Sequence, residues 1–143
     1  SLYSFIGVAN AQGIDYISTK QNDKSIWSVL DYMLGKNNWG MAFVCSDSIP
    51  NSIKNVYSQI YKLNSKLKPT GAISEGPGDR ATHEQLKQYF SIPKDYPLEQ
   101  FNSSGAVFYD LNTNFQTMET TIVGLAEGLL FFTLIDKIER SNH

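Results

Sequence analysis

The stretch "TIVGLAEGLLFFTLI", residues 121–135, decides the fold class, because it is a long apolar segment with one charge in fifteen residues. Its spacing predicts the middle of the longest helix of the chain, over about 115–139. A bilayer span takes about 20 apolar residues, so the segment is too short and too interrupted to cross a membrane. We expect a helix buried on most sides, by the core or by a second subunit.

One face of this helix combines an acid with small residues. On a helical wheel Glu127 lies beside Gly124 and Gly128, opposite apolar positions such as Leu125 and Leu129. Each glycine costs roughly 1 kcal/mol of helix propensity against alanine, so we expect something to approach this face closely. The small-xxx-small spacing lets helices touch and makes the three residues candidates for partner binding. Glu127 is either a buried carboxyl that responds to mild acid or a glutamate on the helix's polar edge.

The remaining chain alternates strand and helix patterns. A hairpin is predicted over 2–19 around "NAQG", because two β-like runs flank a turn that contains glycine. Asp23 or Ser25 would cap the next helix and Gly35 would end it. Further on we expect a buried strand "WGMAFVCS", an amphipathic helix over 51–67, a short helix "HEQLKQYF", an irregular loop and a last strand "AVFYDL".

These elements predict an α+β fold, with α/β as the alternative. The expected architecture is a mixed sheet of three to four strands that begins with the N-terminal hairpin and is covered by about four helices. Residues 1–143 are the size of one domain.

Composition limits the classes of function. The chain has 143 residues, of which 41% are apolar and 18% charged, below the roughly 25% charge of typical soluble domains. Part of the surface is therefore expected to be covered by a partner, and a homodimer is one option. With a net charge of −2 and no dense lysine or arginine cluster, the chain is not expected to bind nucleic acid.

The first residues predict a location. The chain begins "SLYSFIGVAN", without an initiator methionine. We interpret this as the extracytoplasmic part of a longer chain whose N-terminal signal or anchor has been removed. A single cysteine makes no internal disulfide and so does not decide the compartment.

The stretch "GAISEGPGDRATHEQ", residues 71–85, is the first candidate site. Gly76 and Gly78 are typical of a tight turn. Thr82 followed by Gln85 is a capping-box pattern, with Asp79 as a rival N-cap. A phosphate loop is not expected, because a proline removes one amide and nearby acids would repel an anion.

Charged residues in the same stretch remain after the turn is accounted for. These residues form either a solvated corner or a titrating cluster. The second alternative is open because a histidine beside carboxylates changes charge between pH 5 and 8. The residues are Arg80, Glu75, Asp79, His83 and Glu84. One internal histidine, without acids at ligand spacing, predicts no metal site. We also expect no cofactor.

Two further candidates belong to other classes of function. Cys45, in "FVCSDS", is either a small buried hydrophobe or a nucleophile that would need His83 as base and Asp47 beside it. Exposed tyrosines and Phe115 could line a pocket for a small apolar ligand, which would make the protein a carrier or sensor.

Three stretches carry a resemblance to a known family: "SIWSVLDYM" (25–33), "FVCSDSI" (43–49) and "LEQFNSSGAVFYDLNTN" (98–114). They resemble the small periplasmic partner proteins of ToxR-like, membrane-bound activators of fimbrial operons. The resemblance implies a non-enzymatic, membrane-anchored regulator at the periplasmic side of the bacterial inner membrane. The resemblance implies that such a protein binds and stabilises a membrane-bound transcription regulator, passes on a signal such as acid pH and takes part in virulence control. The resemblance identifies no site residues.

Overall fold

The computed structural model describes residues 2–19, 24–64 and 66–141, and for 16–19 the backbone alone. Within these ranges there are six α-helices: α1 Leu2–Thr19, α2 Lys24–Met33, α3 Gln59–Leu63, α4 Arg80–Leu86, α5 Phe115–Met118 and α6 Ile122–Ser141. Strands β1 Gly78–Asp79 and β2 Ala106–Val107 pair antiparallel, with Gly78 opposite Val107. The α+β class is thus broadly compatible with the fold, but a sheet of three to four strands is not present in the described chain.

The N-terminal segment is a helix, so the predicted hairpin is wrong. Leu2, Ile6, Ala9 and Gly13 are buried at intervals of three and four residues, which is the period of a helix and not of a strand. This buried stripe packs against α6 and fixes the helical conformation, although the segment contains β-branched and aromatic residues.

The predicted helix over 51–67 is also wrong, except for α3. The N–H groups of Lys54 and Asn55 bind the carboxylate of Asp110, at 3.0 and 2.9 Å, and the N–H of Tyr57 binds the carbonyl of Met118. These long-range bonds use the donors that a helix would need for its own ladder. Isolated bridges take the place of strands here, including one between Ala42 and Ser52.

Other predicted elements are present with changed bounds. Helix α2 is confirmed, and Gly35 follows its end with a φ of +112°. Asp23 lies outside the described residues, and Ser25 lies inside the helix, where its hydroxyl donates to Gln12. The long C-terminal helix is confirmed only as α6, since the chain is extended at Glu119, between α5 and α6.

The core lies between the packed helices α1 and α6, called the helix pair, and the segments that follow α2. Phe43 and Phe108 are fully buried, with ring centroids 4.9 Å apart, and Trp39 packs on Phe108 at 5.8 Å. Among the described residues, none of the helices combines the length and the hydropathy required to cross a membrane.

Candidate functional site

A cleft of about 300 Å³ opens beside α4 and brings together charged and aromatic side chains from separate parts of the chain. One wall comes from α4, another from residues 92–99, and Tyr109 follows β2. The lining side chains are Arg80, His83, Glu84, Lys87, Ile92, Pro93, Lys94, Tyr96, Glu99 and Tyr109.

Arg80 lies between two carboxylates. Its Nη1 is 3.6 Å from Oε1 of Glu84, and its Nη2 is 3.6 Å from Oε1 of Glu99. The Nε group donates to the carbonyl of Ser103 at 2.8 Å. Because both carboxylates contact one planar guanidinium, the two contacting oxygens are at most roughly 10 Å apart.

Glu84 is kept ionised by Lys87, which follows the end of α4. The Nζ of Lys87 lies 2.5 Å from its Oε2 and donates to it. This hydrogen bond and the charge of Lys87 lower the pKa of Glu84. At neutral pH the group is therefore a carboxylate that accepts protons or hydrogen bonds.

Glu99 is oriented from the core side. Its Oε2 accepts from the hydroxyl of Tyr109 at 2.5 Å and from the Nδ2 of Asn102 at 3.1 Å. The Oδ1 of Asn102 in turn accepts from the indole N–H of Trp39 at 2.7 Å. Burial, with the hydrogen bond to Glu99, raises the pKa of Tyr109, so its hydroxyl remains a donor.

Stacked rings form the floor of the cleft. The imidazole of His83 lies between Tyr109 and Phe90, with centroid distances of 4.7 and 5.1 Å, and Tyr96 packs on Tyr109 at 5.3 Å. His83 is 2% exposed, and its Nδ1 is 3.1 Å from the Oε1 of Gln116. Burial lowers the pKa of His83, which keeps the ring neutral at neutral pH.

The five charged residues of the 75–84 stretch separate into three places. Arg80, His83 and Glu84 line the cleft. Asp79 caps α4, since its Oδ2 accepts from the N–H of Thr82 at 2.7 Å. Glu75 lies at the start of α1, where its carbonyl accepts from Leu2. The titrating cluster of five residues is therefore not assembled as one group.

The residues on α6 face α1 and the core of the same chain. A Cβ on Gly124 would lie 2.1 Å from the ring of Tyr3, and one on Gly128 would lie 2.1 Å from Ile73. The predicted close approach at this face is confirmed. Glu127 is half-buried and its Oε2 accepts from the Nδ2 of Asn10 at 2.6 Å.

Contrary to the expectation, α6 is not buried on most sides within this chain. Ile122, Val123 and Leu129 are 89, 71 and 71% exposed, while the glycine face is buried. At that face Gly124 lets Tyr3 of α1 approach closely, and Gly128 lets Ile73 do so.

Cys45 is a buried hydrophobe. It is 7% exposed, and burial raises the pKa of its thiol, the opposite of what a nucleophile needs. Asp47 pairs with Lys68 on the surface, whereas His83 lies among the rings of the cleft. The three residues proposed for a cysteine enzyme thus have separate partners. Among the described residues, no three His, Cys, Asp or Glu side chains are grouped to hold a metal ion.

Sequence reasoning missed Glu99, Tyr96 and Tyr109 as residues of one site. Glu99 and Tyr96 lie in "PKDYPLEQF" (93–101), which reads as an irregular loop with two prolines. An acid and aromatics concentrated in such a loop are a usable signal, since binding residues are frequent on loops held by a scaffold. Glu99 pairs with Arg80, which lies 19 positions earlier in the sequence, and motif spacing does not predict a contact over that separation.

Comparison with known proteins gives one family. Residues 5–130 match the family model of glycosyl hydrolase family 9. This chain belongs to glycosyl hydrolase family 9. No curated protein and no solved structure matches the chain.

Membership of glycosyl hydrolase family 9 corrects several predictions. The match points to a carbohydrate-active enzyme, so the resemblance to partners of ToxR-like activators is wrong, as are the non-enzymatic regulatory function, the virulence role and the pH sensing drawn from it. The periplasmic location and a protein partner stay predictions.

Proposed function

We propose that the protein hydrolyses glycosidic bonds in the cleft beside α4, with Glu84 and Glu99 as its pair of carboxyl groups. One observation carries the proposal: two carboxylates from different walls flank the guanidinium of Arg80, next to the rings of Tyr96 and Tyr109. Most glycoside hydrolases use two such groups, roughly 6.5–9.5 Å apart when the reaction inverts the sugar and about 5–5.5 Å apart when it retains the configuration.

The surroundings suggest different roles for the two groups. A base must be ionised, and Lys87 lowers the pKa of Glu84. We therefore assign Glu84 the activation of water or direct attack on the sugar carbon. Glu99, on the opposite wall, takes the remaining role of donating a proton to the leaving oxygen. This role requires Glu99 to take up a proton although Arg80, Tyr109 and Asn102 all contact its oxygens. The half-buried ring of Tyr96 supplies apolar surface for the C–H face of a sugar.

Release of reducing ends from carboxymethylcellulose, xylan and starch tests the activity. We expect one of these polysaccharides to be cleaved, and Glu84→Gln and Glu99→Gln each to lower the rate by about a hundredfold or more, since general acid–base groups contribute that much. Glu139→Gln, on the exposed end of α6, is the matched control and should leave the rate unchanged.

An aryl glycoside with a dinitrophenol leaving group separates the two roles. Such a leaving group departs without a proton, so Glu99→Gln should retain most of its activity on this substrate, whereas Glu84→Gln should lose it. Equal losses for both variants would contradict the assignment of roles. Full activity of both variants on polysaccharide would contradict the site itself.

A further inference from the structure

A second hollow, of about 400 Å³, lies outside the proposed catalytic cleft. It is lined by Tyr57, Lys62, Tyr89, Thr113 and Phe115. We propose that this hollow, the distal subsite, binds a pyranose ring of the same oligosaccharide whose scissile bond lies in the cleft. The inference rests on the proposed function and names a binding site for a part of the substrate away from the reacting bond.

Aromatic surface is the first reason. The side chain of Tyr89 is 64% exposed, and the ring of Phe115 packs edge-on against Tyr57 with centroids 5.7 Å apart. The exposed ring of Tyr89 lies beside two further rings of the same hollow, so the three form one aromatic surface. A pyranose has an apolar C–H face that covers such a ring without requiring a deep pocket.

Hydrogen-bonding groups beside the rings are the second reason. The Nζ of Lys62 lies 4.0 Å from the centroid of Tyr57, which holds the ammonium at the edge of the hollow. An ammonium carries three donors, and the Tyr89 hydroxyl both donates and accepts. Donors around an apolar surface match the hydroxyl rim and the C–H face of a sugar, and a purely apolar ligand would leave them unused.

The distal subsite and the cleft share one segment of the chain. Residues 87–93 supply side chains to both, namely Lys87, Ile92 and Pro93 to the cleft and Tyr89 to the distal subsite. Under this segment the rings of Tyr109, His83, Phe90 and Phe115 follow one another at 4.7, 5.1 and 5.1 Å. The two ends of this row are at most about 15 Å apart, which a short oligosaccharide spans.

The subsite predicts that affinity depends on chain length. A hexasaccharide reaches from the cleft into the distal subsite, whereas a disaccharide held in the cleft does not. Loss of one stacking ring should therefore weaken the hexasaccharide about three- to tenfold and leave the disaccharide unchanged.

Titration calorimetry with cellohexaose, xylohexaose and maltohexaose, and with their disaccharides, tests this. The proteins are the parent chain with Glu84→Gln to prevent cleavage, the same chain with Tyr89→Ala, and a control with Phe5→Ala. Phe5 is 62% exposed on α1, close to the 64% of Tyr89, so the control removes an equal aromatic surface elsewhere. We expect only Tyr89→Ala to raise the Kd of the hexasaccharide.

The outcomes distinguish this inference from the proposed function. If Tyr89→Ala binds the hexasaccharide as tightly as the parent while Glu84→Gln still abolishes hydrolysis, the distal subsite is wrong and the catalytic cleft stands. An equal loss for hexasaccharide and disaccharide also overturns it, because it indicates a general disturbance. If the parent binds none of the six sugars, both proposals are wrong.

Discussion

The α1–α6 helix pair and the cleft are held together by different kinds of interaction. In the helix pair, side chains of one helix pack closely on glycines of the other: Tyr3 lies against Gly124, and Leu134 lies against Gly13. In the cleft, short elements are held by side chains that bind distant backbone or each other, as Arg80 binds the carbonyl of Ser103. The first region depends on volume and the second on the pairing of polar groups.

This difference indicates why charged chemistry is found in only one of the two regions. Close helix packing leaves little room for a ligand. The acid beside the two glycines of α6, Glu127, accepts a hydrogen bond from Asn10. The cleft instead keeps Glu84 and Glu99 about half exposed, at 46 and 47%, where a substrate can reach them. Substitutions that change volume should act on the helix pair, and substitutions that remove a polar partner should act on the cleft side.

The largest effect on stability is expected from Gly124→Ala. Its Cβ would lie 2.1 Å from the Cζ of Tyr3, and that ring is held in place by a 2.8 Å hydrogen bond from its hydroxyl to the carbonyl of Ile73. Overpacking of this kind costs about 1–3 kcal/mol, and the rigid ring places this site at the upper end. Urea unfolding measures the change in the free energy of unfolding.

Gly7→Ala is the matched control in the other helix of the pair. Nothing lies within 4 Å of a Cβ at this position, so alanine should stabilise α1 by up to about 1 kcal/mol. A stabilising effect of Gly124→Ala would contradict the described contact between α1 and α6.

A smaller effect is expected from Asp110→Ala, which removes a polar tie near the cleft. The carboxylate of Asp110 accepts from the N–H groups of Lys54 and Asn55, and its own N–H donates to the hydroxyl of Tyr96. Unpaired donors cost about 1–3 kcal/mol, so we expect a loss of roughly 2 kcal/mol. Asp95→Ala, an exposed aspartate in the cleft-forming loop, serves as control in the same urea experiment and should change little.

The smallest effect concerns the pH dependence of stability at His83. Burial lowers its pKa in the folded state, while the unfolded value is about 6.5. Above pH 6.5 both states are neutral and stability is complete. As pH falls below 6.5 the unfolded state gains the proton first, so stability is lost by at most about 1.4 kcal/mol per pH unit.

His83→Phe isolates this contribution. Phenylalanine retains an aromatic ring between Tyr109 and Phe90 but does not titrate. Thermal unfolding at pH 7.5 and 5.5 should show a larger drop in Tm for the parent than for the variant. An equal drop in both proteins would mean that His83 takes up its proton equally well in the folded and unfolded states.

Local signals predicted the parts of the fold that depend on neighbouring residues. Gly35 after α2 and the close approach at Gly124 follow from the physical limits of single residues or short spacings. The cap of α4 is Asp79, the rival of the capping box at Thr82, which lies inside the helix. Helix α1 had the right period too, with Leu2, Ile6 and Ala9 on one face, but its β-branched and aromatic content favoured a hairpin.

The predictions that were wrong concern parts of the fold that depend on contacts between residues distant in sequence. The 51–67 segment has helical spacing, yet Asp110 binds two of its N–H groups and prevents the helical ladder. In the candidate site, the sequence predicted Arg80, His83 and Glu84 together, since these three residues lie close in sequence. Glu99 was missed because its position opposite Glu84 is set by Arg80, Asn102 and Tyr109.

The most direct test compares two glutamates, one from each region. Glu99→Gln and Glu127→Gln make the same chemical change, at the cleft and in the helix pair respectively, and both keep an oxygen that accepts hydrogen bonds. Reducing-end release from the polysaccharide that the parent cleaves fastest should fall about a hundredfold or more for Glu99→Gln and stay at the parent rate for Glu127→Gln. A large loss with Glu127→Gln and none with Glu99→Gln would place the chemistry in the helix pair and contradict the account.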